Sequence, residues 1–200
     1  MNRVLSSASA SLAAGFVLAG LFLLICLVQS GADRIGFISF LLRWVHILGA
    51  IAWLGMILFV NFIHIAAVAQ ADEAGKKTLL HLVVPRVAAM FRHASHLTLL
   101  SGVLLLITTG YILDRWVFLS AVYIPTSRSL LMWSGVLGGL IMWLLVHFAI
   151  WPNLQILLGD QPGDAAAKAA ARERARIYAR INLVLAIPVT FVMVAATHLF

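Results

Sequence analysis

The stretch Phe40–His64, FLLRWVHILGAIAWLGMILFVNFIH, decides the fold of this chain. It is apolar over the length of a bilayer crossing and holds no carboxylate, yet it carries Arg43, His46, Asn61 and His64. Ionisable groups at membrane depth are costly and usually face a bundle interior, so each of these is a functional candidate. His46 and His64 stand 18 residues apart. In a helix that spacing is five turns, which puts them on one face about 27 Å apart. One helix thus presents an imidazole near each side of a bilayer.

The rest of the composition agrees. Of 200 residues, 63% are hydrophobic and only 10% charged, where soluble domains carry about a quarter. The chain reads as an all-α integral membrane protein, a bundle of about five transmembrane helices in a single membrane domain over residues 1–200. The net charge of +7 does not point to nucleic acid, because the basic residues sit in short segments between apolar runs. That is a topology signal. Cys26 is the lone cysteine, which excludes an intrachain disulfide, a CxxCH-linked haem and a thiolate cluster.

The apolar runs are about 11–29, 37–69, 95–113, 129–151 and 178–199. The first reads as a retained anchor, because it is long and the Gln29-Ser30-Gly31 region is a poor cleavage site. The second exceeds bilayer thickness and is expected to tilt or protrude. Residues 71–92 read as a loop followed by an interfacial helix, with Pro85 at a start or break. A loop over 114–128 contains Pro125, Pro152 punctuates the fourth run, and 160–177 is an exposed start to the last helix, where Pro188 predicts a kink. With the N-terminus inside, the inner segments hold ten Lys and Arg and the outer loops hold four: Arg34, Arg43, Arg115 and Arg128. The positive-inside rule therefore places the N-terminus in the cytoplasm and Phe200 outside.

Topology gives each histidine a depth. His46 and His198 both fall about 12 Å outward of the midplane. On the inner side His147, His96, His64 and His93 fall about 10–16 Å deep, and His81 lies in the interfacial segment. Two histidines from different helices at one depth suit axial ligation of an iron porphyrin. Gly49, Ala50, Ala52 and Ala195-Ala196 leave room for a flat macrocycle, and Arg43 is placed to pair with a haem propionate. A second haem on the inner side would lie between His147 and either His96 or His64. The competing reading makes these histidines hydrogen-bonding residues between helices, with His64 and His93 simply solvated near the interface. The six tryptophans, Trp44, Trp53, Trp116, Trp133, Trp143 and Trp151, need only interfacial and packing roles, and Gly135, Gly138 and Gly139 suit close helix approach.

All seven carboxylates (Asp33, Asp72, Glu73, Asp114, Asp160, Asp164 and Glu173) lie outside the runs, so a carboxylate proton relay or cation-coupled transporter lacks its usual equipment. No Gly-rich phosphate loop, HExxH or GxSxG occurs.

Three stretches carry a resemblance. RWVHILGAIAWLG (43–55), FAIWPNLQ (148–155) and ARINLVLAIPVTFVMVAATHLF (179–200) resemble the N-terminal membrane domain of bacterial membrane-bound urate hydroxylases, with LLSGVLLL (99–106) a weaker match. The likeness runs through the second to fifth runs. It implies a multispan domain of the bacterial inner membrane linked to urate oxidation and a cytochrome c. Arg43, His46, Trp53, Trp151, Pro152, Asn153, Asn182, Pro188 and His198 fall on matching positions. The chain departs from the pattern in several places. No cytochrome c domain follows within this sequence, Thr197 replaces one of two adjacent histidines, and His64 and His147 have no counterpart. Most of the family's Trp/Lys/Glu-rich entry to the third span is replaced, with Phe91 and Arg92 kept.

The expectation is a membrane haem-b redox protein with metal ligands His46 and His198 and, for a second haem, His147 and His96. Arg43 and His64 complete the cofactor-binding set. One haem b is expected and two are allowed. Electrons would pass to or from a quinone or c-type cytochrome, within a homo-oligomer or larger membrane complex. The alternatives are a membrane oxidase of urate or a similar heterocycle, and a haem-free transporter or assembly subunit.

Overall fold

A computed structural model of the chain describes residues 7–29, 31, 33–112 and 126–199. Arg3, Ser30, Asp114, Arg115, Trp116, Pro125 and Phe200, on which parts of the sequence reading rest, lie outside these. The described residues form helices and no strand. Five helices are long and apolar enough to cross a membrane: α1 Ala8–Gln29, α2 Arg34–Gln70, α3 Glu73–Thr108, α4 Ser127–Leu158 and α5 Ala165–His198. The protein is an all-α, multi-pass membrane protein whose apolar faces meet lipid.

The chain divides into two compact units, residues 1–41 and 42–200. In the first, α1 is apolar throughout and buries none of its residues. Asp33 caps the start of α2, its carboxylate accepting from the Gly36 amide at 2.6 Å.

The second unit is built from the rest of α2 with α3, α4 and α5. Its centre is Trp53 and Ile57 of α2, Phe91 and Ala94 of α3, Met142 and Val146 of α4, and Ala186 of α5. In hydrocarbon there is no hydrophobic drive for helices to associate, so small residues and close packing must hold them. A Cβ on Gly49 would lie 2.8 Å from Thr98 Oγ1 and 3.1 Å from its backbone nitrogen. Gly135 abuts Met193, and Gly138 abuts Val189. Those two play the expected close-approach role, while Gly139 faces open space.

The loop and interfacial helix expected over 71–92 are instead the first half of α3, which runs without a break from Glu73. Asp72 caps it by accepting from the Gly75 amide at 2.8 Å. Pro85 is tolerated because a π-helical segment, Leu79–Val83, precedes it. A widened turn leaves room for a ring that lacks an amide hydrogen. Pro152 sits the same way behind the π segment Leu145–Ile150, so α4 runs on to Leu158 rather than stopping at the proline. It ends at Gly159, whose φ of 91° favours a residue without Cβ. The last helix begins at Ala165, where Asp164 accepts from the Ala167 amide at 2.7 Å, and it continues through Pro188.

Asn182, fully buried, donates to the Met142 carbonyl at a long 3.4 Å, and its Oδ1 has no partner. A bond at the limit of reach beside an unpaired oxygen adds little to stability. Asn182→Leu is therefore expected to change unfolding free energy by less than about 1 kcal/mol in detergent. A loss several times larger would mean that Asn182 holds a polar partner.

Candidate functional site

His46 lies on α2 against α3. Its Nδ1 donates to the Thr98 carbonyl at 2.9 Å, with the Ser101 hydroxyl at 3.3 Å. The seat is shaped by Gly102, where a Cβ would stand 3.0 Å from His46 Cε1. Ser95, Thr98 and Ser101 are all buried and repeat every three residues along this face of α3. A carbonyl on Nδ1 fixes the tautomer and leaves Nε2 as the free basic nitrogen. No described residue bonds to Nε2.

His198 occupies the last turn of α5 and is exposed. No hydrogen bond or ring contact joins it to His46 among the described residues. The register places it more finely than hydropathy. Asn61 Nδ2 donates to the Ala179 carbonyl at 3.3 Å, and Trp53 packs with Ala186 in the core. Continuing antiparallel, His46 comes level with about Met193, so His198 lies roughly one turn beyond it. Equal depth, expected from span centres, is thus replaced by a one-turn offset. Arg43, one turn before His46, is exposed.

The inner histidines arrange differently. His147 Nε2 and His96 Nδ1 are 3.0 Å apart, with ring centroids at 4.3 Å. His147 Nδ1 donates to the Trp143 carbonyl at 2.9 Å, and His96 Nδ1 donates to the Arg92 carbonyl at 2.8 Å. Carbonyls only accept, so both Nδ1 atoms carry protons and His147 Nε2 accepts a share of the His96 proton. Trp143 stacks on His147 at 4.5 Å and meets His96 edge-on. Two ligands of one iron at about 2 Å each would set their nitrogens about 4 Å apart with a macrocycle between them. Here the rings touch directly, as a hydrogen-bonded pair joining α3 to α4. His64 stacks loosely on Phe59 and joins neither His96 nor His147. His81 and His93 are exposed.

His64 instead faces a cavity of about 710 Å³ among α2, α3, α4 and α5. The walls are apolar, including Ile57, Val84, Ala88, Phe91, Val146 and Ile150. Asn61, Arg92 and Trp151 also line it, and Lys76, Lys77, Arg172 and Arg176 stand at its basic end. Each of the three π-helical segments contains a histidine (His64, His81 and His147) and each lies beside this cavity. Such wide turns recur at functional sites.

In the sequence Arg92 reads as a topology charge and as a residue kept from the family pattern, and nothing there marks Thr98, Ser101 and Gly102 directly as the seat of His46. The signal for the seat was the small-residue repeat S95-xx-T98-xx-S101-G102. Among the described residues no group of three or more His, Cys, Asp or Glu is placed to hold a metal ion. No protein-family model, curated protein or solved structure matches the chain.

Proposed function

We propose that this is a redox protein of the bacterial inner membrane that holds a b-type haem on His46 and passes electrons to or from a quinone or c-type cytochrome. The observation that carries the reading is the His46–Thr98 bond of 2.9 Å, which leaves Nε2 as a free ligand nitrogen in a half-buried seat. Ligating histidines are commonly held by such an Nδ1–H to carbonyl bond, which orients the ring and raises its basicity. Gly102 leaves room for the edge of the His46 ring, so His46 would hold the iron through Nε2. His198, exposed in the last turn of α5, is the candidate for a second ligand. When bound, a haem iron takes up and releases one electron at a time. The chain's part would be to orient the imidazole through the Thr98 carbonyl and to offer Arg43 to an acidic substituent. The excess of Lys and Arg at the end bearing Lys76, Arg92 and Arg172 supports a cytoplasmic N-terminus.

For His96 and His147 the direct 3.0 Å contact favours the second reading, a polar link between helices rather than ligation of a second haem. In membranes such links contribute about 0.6–2 kcal/mol.

The test is the reduced-minus-oxidised spectrum of protein purified from haem-replete cells. The wild type is expected to show the Soret and α-band of b-type haem. His46→Ala is expected to lose both, while His96→Phe keeps them. Bands that survive His46→Ala unchanged would remove the proposal.

A further inference from the structure

We infer that the cavity binds an anionic amphiphile, an apolar molecule with a carboxylate or phosphate head, and that Arg92 holds its head. This does not depend on the haem reading. Arg92 is half-buried at the cavity wall, with its guanidinium 4.2 Å above the Trp151 ring. Its Nε is enclosed by the protein, which leaves the two terminal guanidinium nitrogens open to an outside group. An arginine cannot escape burial by giving up its proton, and its fork matches carboxylate and phosphate oxygens. The chain offers it no such group among the described residues. Asp33, Asp72 and Asp164 cap helices, Glu73 pairs with Lys76, Glu173 pairs with Arg176, and Asp160 is exposed and makes no ion pair with Arg92. The missing acceptor must come from outside the chain.

The volume of about 710 Å³ lies in the range of small-molecule sites. Its apolar lining suits a chain or ring body.

Native mass spectrometry of the full-length protein in detergent tests this, with phosphatidylglycerol, oleate and the neutral oleyl alcohol as probes. One molecule of an anionic probe per chain is expected. Arg92→Gln should weaken it by about tenfold or more, with Arg92→Lys intermediate. Ala88→Leu, which fills the cavity without touching the charge, should weaken it too. Binding of phosphatidylglycerol alone would identify a bilayer lipid as the source, and binding of oleate alone a free acid. Equal retention of oleyl alcohol, or Arg92→Gln within about twofold of wild type, would overturn the inference. Should Arg92→Gln fail to fold, Arg92→Lys and Ala88→Leu decide.

Discussion

Trp53→Ala is expected to destabilise the protein by about 3 kcal/mol, the lower end of the range for Trp or Phe to Ala in a core. Trp53 is 5% exposed and packs with Ile57, Phe91, Ala94, Met142, Val146 and Ala186, so it touches all four helices of the second unit. The lower end applies because lipid is as apolar as the core, which removes most of the transfer term and leaves the cavity and lost dispersion. The indole contributes no compensating bond, since its Nε1 is buried and unpaired. Trp53→Phe keeps most of the volume and should cost clearly less. Reversible unfolding in mixed micelles measures both, and equal costs for the two variants would contradict a packing role.

Gly49→Leu is expected to be the most damaging substitution on the other side of the site. A Cβ there meets the Thr98 side chain at 2.8 Å and its backbone at 3.1 Å, and a backbone atom cannot swing aside. α2 and α3 must separate, at a cost of about 1–3 kcal/mol or more. Gly49 lies one turn from His46, and the same residue, Thr98, contributes both the clash and the carbonyl that orients the imidazole. The substitution should therefore loosen the His46 seat as well as the fold. Gly55→Ala is the control, because a Cβ there meets nothing within 4 Å. That change should be neutral or slightly stabilising through helix propensity. Thermal midpoints of the two variants in detergent check the contrast, and equal shifts would mean that the close approach at Thr98 carries no energy.

The helical crossings were legible because apolar run length is set by bilayer thickness, which no tertiary contact can override. Boundaries were less so. Residues 71–92 read as a loop and interfacial helix because Lys76, Lys77, Pro85 and Arg86 dilute the hydropathy. A cap at Asp72 and a π turn before Pro85 keep that segment helical all the same. Hydrogen-bond register is invisible to a hydropathy window, and three π segments each shift the count along a helix. Counted from the Asn61–Ala179 bond, His46 and His198, matched by depth in sequence, come out about one turn apart. Whether two inner histidines face each other or a cofactor depends on side-chain direction, which their depth does not determine. The direct His96–His147 contact and the cavity beside Arg92 appear only once α3 and α4 are packed.

The free Nε2 of His46 is the centre of the account, and its most direct test is the haem content of the purified wild-type protein, paired with its ferric electron paramagnetic resonance spectrum. The wild type is expected to hold b-type haem in stoichiometric amount and to give a low-spin signal with nitrogenous ligation that is absent from His46→Ala. Folded protein purified from haem-replete cells without pigment, or with a haem signal indifferent to His46, would contradict it.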